Sequence, residues 1–376
     1  MGTRVARTCE ATGAAPGNRR TGWVAVGVDR GSSLEVTEVT SGRELEALRP
    51  EWEALWQRCP DATPFQSPDW TIAWWNHLGE GELLALILRH RGRLVGIAPF
   101  FIHSVTTAER DSSVRPVLML GTGVTDHLDI LVEPGFAEPA AAAILAHLGA
   151  DAARWDVLDL HQLRPGAALL RAALPPGWSE RNEPQESCPV LPLPARYGDL
   201  PRVGAGLAKR ALYYRRRAER LAPLRVHAAG SDDVEPMLHE LFRLHGDRWA
   251  ARGQPGIFAM EAVRRFHLSA AKGLAARGAL RLYALRLGDE TAAVYYGFLH
   301  QRRAYVYIAG FDPRFARLSL GTVLLAHAIE EAIREGAAEF DFLRGRESYK
   351  YRWGACDCWS RRRVLAHPRS RTTLVS

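Results

Sequence analysis

The sequence predicts an α/β protein of two similar lobes, each a central, mostly antiparallel mixed sheet flanked by helices. Three observations predict it. Strand-length apolar runs alternate with helix-length amphipathic ones along the chain. A hairpin pattern occurs twice: LLALILRHRGRLVGIAPFFI from Leu83 and LRLYALRLGDETAAVYYGFL from Leu280 both read as strand, tight polar turn, strand. Each hairpin follows two helices separated by a Gly/Pro break. Each precedes a strand, a helix and a strand with one acid at its middle, Asp159 in WDVLDL and Asp341 in EFDFL. A tandem duplication accounts for this order; two ordinary α/β units in coincident order are the alternative.

Taken in order, residues 1–33 are rich in Gly, Arg, Ala and Thr without an apolar core, and are expected to be a disordered tail rather than a secretory signal. The first lobe is expected over 34–195. It opens with an alternating strand at 34–39. Ser41 and Glu44 form a capping-box pattern for a helix over 43–58, which Pro50 kinks or splits. Ser67-Pro68 starts the next helix, Pro standing at its first position. Strands at 83–89 and 94–102 flank the turn Arg91-Gly92-Arg93. A strand at 117–120 leads into Gly121-Thr122-Gly123, and an alanine-rich helix at 140–148 and a buried strand at 156–160 follow. Prolines recur from Pro175 to Leu200, where the boundary is placed. The second lobe, 196–370, begins with a basic helix over 202–220. It continues with a strand at 224–227, helices to Trp249 and over 259–277, the hairpin, a strand at 305–310, a helix from Ser319 ended by Gly336, a strand at 339–343, a polar turn and a last strand at 359–366.

Composition narrows the class. The chain has 376 residues, 47% hydrophobic and 24% charged, as ordinary globular proteins do. Five scattered cysteines give no disulfide framework and no zinc-ligand spacing, so free thiols in a reducing compartment, the cytoplasm, are expected and a metal is not. No apolar stretch of about 18 residues predicts a membrane span. The net charge of +7 favours anionic partners: a phosphate-bearing cofactor, an acidic polymer or a membrane surface.

The candidate chemistry concentrates between Ala304 and Ala355. The helix start Ser319-Leu320-Gly321-Thr322 offers unpaired backbone N–H groups and the positive end of a dipole to a phosphate; a plain N-cap with a packing glycine is the competing reading. The strand from Tyr305 to Gly310 ends in a turn, so it can part from its neighbour and expose backbone groups that an extended ligand pairs with. One such N–H would polarise a thioester carbonyl, and Tyr305 or Tyr307 would protonate a leaving thiolate. Asp341, between Phe340 and Phe342, and Glu347, beside Lys350, are alternative bases for an attacking amine. Asp126 and His127 follow a glycine-rich turn and resemble a base-and-orienter pair without a nucleophile, lining a cleft between lobes in that reading; a satisfied turn Asp and a surface His is the competing one. With Arg344 and Arg346 they are the candidate substrate-binding groups. In the basic helix Lys209, Arg210, Arg215, Arg216, Arg217 and Arg220 interleave with Tyr213 and Tyr214, suited to nucleic acid, lipid headgroups or a solvated face.

The stretch GFDPRFARLSLGTVLLAHAIEEAIREGAAEFDFLRGRESYKYRWG, with PFQSPDWTIAWW and RGRLVGIAPFF earlier, resembles the GNAT-type acyltransferases of the cellulose-biosynthesis-associated acetyltransferase group. Members resemble tandem GNAT lobes, as do the Fem-type peptidyltransferases that use aminoacyl-tRNA. The resemblance implies acetyl-CoA or another acyl-CoA as co-substrate. Its pyrophosphate would lie at Arg317 and Ser319 to Thr322, and its pantetheine along Ile308, Ala309 and Gly310. The usual loop, Q/R-x-x-G-x-G/A, is altered here: in RLSLGT the first glycine, Gly321, comes one place late and the second is missing. The expected activity is N-acyl transfer to an amine on a small molecule or glycan precursor, with Asp341, Glu347, Tyr307 and Lys350 as the catalytic set. A Fem-like transferase using tRNA, or a non-catalytic accessory protein of polysaccharide assembly with peripheral membrane contact, are the alternatives.

Overall fold

A computed structural model of the protein describes residues 34–103, 114–200 and 202–370; the expected tail at 1–33, with Cys9, lies outside them. The first half runs β1 (Glu35–Val39), α1 (Gly42–Ala47), α2 (Arg49–Arg58), α3 (Pro68–Leu78), β2 (Glu82–His90), β3 (Arg93–Ile102), β4 (Pro116–Met119), β5 (Leu131–Val132), α4 (Ala137–Ala150), β6 (Val157–Leu163), α5 (Ala168–Arg171), β7 (Ser179–Ser187) and β8 (Val190–Pro192). The second runs α6 (Arg202–Glu219), β9 (Leu224–Ala228), α7 (Val234–Ala250), α8 (Glu261–Ala276), β10 (Leu280–Leu287), β11 (Glu290–His300), β12 (Arg303–Phe311), α9 (Leu320–Arg334), β13 (Glu339–Asp341), α10 (Ser348–Arg352) and β14 (Trp359–Ala366).

Local chemistry sets the boundaries. Ser41 caps α1 in a full capping box with Glu44, and Pro50 sits in the first turn of α2, so the single helix expected over 43–58 is two. Ser67 Oγ accepts the Trp70 N–H and Pro68 opens α3. Arg91 and Gly92 both take positive φ, 51° and 75°, the twist a two-residue hairpin needs. The indole N–H groups of Trp52 and Trp56 donate to Gln66 O at 2.9 Å and Thr63 O at 2.7 Å, tying down the loop between α2 and α3.

Two sheets result, in the orders β1-β2-β3-β4-β6-β14-β7, with β5 on β3, and β9-β10-β11-β12-β13-β8. The repeat is visible in the pairing: four antiparallel strands, a parallel junction (β4 with β6, β12 with β13), then an antiparallel neighbour. This is the tandem lobed α/β fold. That last neighbour is exchanged between halves. β14, expected in the second lobe, lies in the first sheet, and β8 lies in the second. Neither sheet is therefore drawn from one half of the chain. The proline-rich stretch taken as a boundary contains β7 and β8. β7 reads SERNEPQES, polar throughout because it is an exposed edge strand whose one strand ladder among the described residues is with β14, where Pro184 is tolerated.

The halves share one core. Leu45, Trp52, Trp56, Phe65 and Trp70 of the first cluster with Leu238, Phe266, Phe298 and Tyr305 of the second. α3 packs on α8 so closely that a Cβ on Gly273 would lie 2.5 Å from the Asp69 carboxyl. Asp69 in turn binds Arg49 at 2.5 Å and Arg277 at 3.4 Å. Trp56 stacks on His300 at 3.8 Å.

Candidate active site

β12 is the strand the site is built on. It pairs with β11 along its whole length but with β13 only through Arg303, Ala304 and Tyr305. β13 stops at Asp341 because its chain is drawn toward β8, Phe342 N donating to Pro189 O at 2.9 Å, and Leu343 turns at φ 54°. A bulge falls where the strands part. Tyr296 faces Ile308 and Gly297 faces Val306, which leaves Tyr307 as the extra residue. Gly297 is required there, since a Cβ would lie 2.3 Å from Tyr305 O. From Val306 to Gly310 the far edge of β12 has no strand partner among the described residues, with Ile308 half-buried and Ala309 exposed. Gly310 has a packing reason: a Cβ would press on Leu241 and Leu244 of α7 at 3.1 Å.

The start of α9 lies beyond the open edge. A 3₁₀ turn, Pro313–Leu318, leads into Ser319, which takes the left-handed conformation at the cap position and makes no side-chain cap. Thr322 N and Val323 N bond back to Ser319 O, leaving the N–H groups of Leu320 and Gly321 without a partner among the described residues. Gly321 is dictated neither by φ nor by packing, because a Cβ would meet Phe311 at an ordinary 3.7 Å. Arg317 is exposed and forms no ion pair among the described residues.

At the vertex where β12 and β13 separate, both halves contribute. His127 Nε2 lies 2.8 Å from Asp341 Oδ2, and Leu343 N donates to Asp341 Oδ1 at 2.8 Å. In the tautomer that donates from Nε2 to Asp341, the His127 lone pair is on Nδ1, which is buried and has no partner among the described residues. Asp126 pairs with Arg344. Burial pushes the Asp126 carboxyl above its usual value, against the pull of Arg344 and His127. The loop that carries these residues is fixed by Trp70 Nε1 donating to Thr125 Oγ1 at 2.9 Å. Gly121, at φ 104°, has no room for a Cβ beside Thr125. His127 also lines a cavity of about 10 Å³ with Phe65, Gln66 and Leu128, the space of one water.

The other expected groups are placed differently. Tyr307 donates its hydroxyl to Val124 O at 2.7 Å, a strut between the halves, and burial raises its pKa well above the usual value; that proton is already committed. Tyr305 is pushed up to about 12 by burial and its hydroxyl has no partner among the described residues. Lys350 is 2% exposed. Its ammonium donates to Leu343 O, Arg344 O and Gly345 O at 3.1, 2.7 and 3.1 Å and pairs with Glu347 at 3.0 Å. It thus braces the loop after β13, and YKYRWG becomes legible: Tyr351 OH donates to Asp357 at 2.6 Å, Trp353 is fully buried, and Gly354 turns at φ 99°. Arg346 lies over Trp359 and near Asp357, away from the vertex. Asp159, the counterpart of Asp341, is held by Arg362 of β14 at 2.8 and 2.6 Å. The sequence singled out His127 and Asp341 separately; they stand 214 positions apart, and no spacing signal joins them. No group of three or more metal-ligating side chains occurs among the described residues.

Residues 207–351 match the acetyltransferase (GNAT) domain family. The match spans β9 to β13 and therefore the whole open edge, the α9 start and Asp341, and it supports a transferase. No curated protein matches the chain. Among solved structures, FemX is similar at 10% identity over 88% of this chain and 96% of its own, with a TM-score of 0.59. A conserved protein of unknown function from Bacteroides thetaiotaomicron is similar at 13% identity over 88% and 100%, TM-score 0.54. The C-terminal domain of a protein named as a lysylphosphatidylglycerol synthetase, from Agrobacterium fabrum, is similar at 11% identity over 86% and 92%, TM-score 0.51. These likenesses are of fold. They extend over both halves, whereas the family match stays in the second.

Proposed function

We propose that the protein is an acyl-CoA-dependent N-acyltransferase whose site is the parting of β12 and β13. The observation that carries this reading is His127 held by Asp341 at the vertex, its Nδ1 buried and without a partner among the described residues. The acyl-CoA diphosphate lies at the α9 start, on the free N–H groups of Leu320 and Gly321, with Arg317 beside them. The pantetheine runs along Ile308 and Ala309 as an added strand. The thioester then reaches the vertex, where a β12 N–H polarises its carbonyl. An acceptor amine attacks that carbon: a C–N bond forms, the C–S bond breaks, and the amine's proton passes to His127 Nδ1, directly or through one water. The thiolate leaves and is protonated from solvent, since Tyr307 is bonded to Val124. Asp341 orients His127 and stabilises the imidazolium; Glu347, exposed and paired to Lys350, is the weaker candidate base. An amino sugar or a polysaccharide precursor, as in the cellulose-associated group, is the acceptor class we favour.

Titration calorimetry with acetyl-CoA tests the reading. Binding that Gly321→Glu abolishes supports it; no binding, or binding unchanged by Gly321→Glu, refutes it. A mass-spectrometric screen of acetyl-CoA loss against amino sugars then assigns the acceptor. The altered RLSLGT loop and the arginine-rich helix favour a second reading, an aminoacyl-tRNA donor. Tight, steeply salt-dependent binding of charged tRNA with no acetyl-CoA binding would select it.

A further inference from the structure

α6 presents a face that the acyl-transfer reading does not use. Leu207, Ala211 and Ala218 bury its inner side, and Gly204 lets it approach Trp353, whose carbonyl would lie 2.5 Å from a Cβ. The opposite side carries Lys209, Tyr213 and Arg216, spaced i, i+4 and i+7 and so stacked along one stripe, and Arg220 follows directly after the helix end. Arg210 and Arg217 flank the stripe. Arg215 pairs with Glu219 at 3.0 Å, whereas Lys209, Arg210, Arg216 and Arg220 are exposed and Arg217 half-buried, each without a carboxylate partner among the described residues.

Apolar side chains are set among these charges. Leu212, Tyr213 and Leu221 are 48%, 57% and 69% exposed, and they are three of the seven most exposed large hydrophobic residues described. A groove of about 450 Å³ opens beside the same helix, floored by Leu224, Val226, Leu285 and Val323, with Lys209 at its rim. Cations alternating with exposed aliphatic and aromatic groups suit a surface that is anionic at its headgroups and apolar just beneath. RNA would use the cations and Tyr213 but gains nothing from Leu212 and Leu221.

We propose that the outer face of α6 docks the protein on an anionic lipid bilayer, with Lys209, Arg216 and Arg220 on headgroups and Leu212, Tyr213 and Leu221 in the interfacial layer. The docking is peripheral: no described helix is long and apolar enough to cross a membrane. It needs no particular acyl donor, so it stands or falls apart from the transfer chemistry.

The test is co-sedimentation of the full chain with vesicles of mixed phosphatidylglycerol and phosphatidylcholine, and with phosphatidylcholine alone. The wild type is expected on the mixed vesicles only, and less as salt rises. Lys209→Gln/Arg216→Gln/Arg220→Gln is expected to bind about 100-fold more weakly, at roughly a factor of five or more per cation lost, with unchanged thermal unfolding. Tyr213→Ser/Leu221→Ser is expected to lose several-fold at low salt, which a purely electrostatic contact would not show. Failure to bind mixed vesicles, equal binding by the triple variant, or binding of structured RNA in place of vesicles would overturn the proposal.

Discussion

Asp341→Asn is the sharpest perturbation of the vertex because it changes charge and proton direction without changing shape. The amide oxygen can still accept from Leu343 N, at the 2.8 Å the carboxylate now has. The amide NH₂ then faces His127 Nε2, 2.8 Å from the position of Oδ2. A donor there forces Nε2 to accept, so the imidazole proton moves to Nδ1 and the ring presents a donor where the reaction needs a base. General-base catalysis contributes about 10²–10⁴-fold, so the loss in transition-state stabilisation is about 3–5 kcal/mol. Stability changes much less, by about 1–2 kcal/mol for one charge-assisted hydrogen bond. The assay is thiol release from acetyl-CoA with the best amine found, as kcat/KM, alongside thermal unfolding and acetyl-CoA affinity. Affinity is expected to hold while rate collapses. His127→Gln should cost a similar factor, and the double variant little more, because the two act as one unit. Activity within threefold of wild type in Asp341→Asn, or additive losses in the double variant, would refute the assignment.

Other consequences follow from the same contacts. Lys350→Met removes the donor to three carbonyls, and at about 1–3 kcal/mol per unsatisfied group, partly recovered by water at Gly345, unfolding stability should fall by about 3 kcal/mol in denaturant titration. For Asp159, burial would raise the carboxyl, but the bonds from Arg362 and His161 outweigh it and bring it to about 2. Its folded value is below the unfolded one, so its stabilisation of about 2 kcal/mol is full above pH 4 and lost as pH falls toward 2; Asp159→Asn should be less stable at neutral pH and flatter across that acid window. Gly273→Ala gains up to about 1 kcal/mol of helix propensity yet pushes α8 off Asp69, for a net loss of about 1–2 kcal/mol measured by chemical unfolding.

Much of the fold was legible because periodicity and punctuation agreed. The capping box at Ser41, Pro50, Ser67-Pro68 and the Arg91-Gly92 turn each carry a local rule, and each has the structure that rule requires. The parting of β12 from β13 was foreseeable from a strand that ends in a turn. What was not legible depends on partners distant in sequence. β7 is polar because it is an edge, and nothing in SERNEPQES reports that β14 waits to pair with it. Lys350 reads as a surface cation beside Glu347; only the left-handed Leu343 and the turn at Gly345 bring three carbonyls around its ammonium. Asp126 and His127 look like a surface turn until Trp70, half a domain away, fixes Thr125.

The two sheets also differ beside their parallel junctions. β4 and β6 part as β12 and β13 do, pairing only at Pro116–Val157 and Val117–Leu158. In the first sheet, however, the chain itself occupies the gap. After the Gly121 turn, Leu128 N donates to Gln162 O of β6, and Leu131 and Val132 pair with β3. Leu128 thus crosses the gap whose counterpart beside β12 has no strand partner among the described residues, and β5 continues the pairing of β3 beyond β4. Asp159 is likewise closed off, bidentate with Arg362 from the exchanged strand. The filling segment is the one that bears His127 and delivers it, across the shared core, to Asp341. A loop of the first half therefore supplies one member of the vertex in the second, and neither half of the chain holds the His127–Asp341 pair alone.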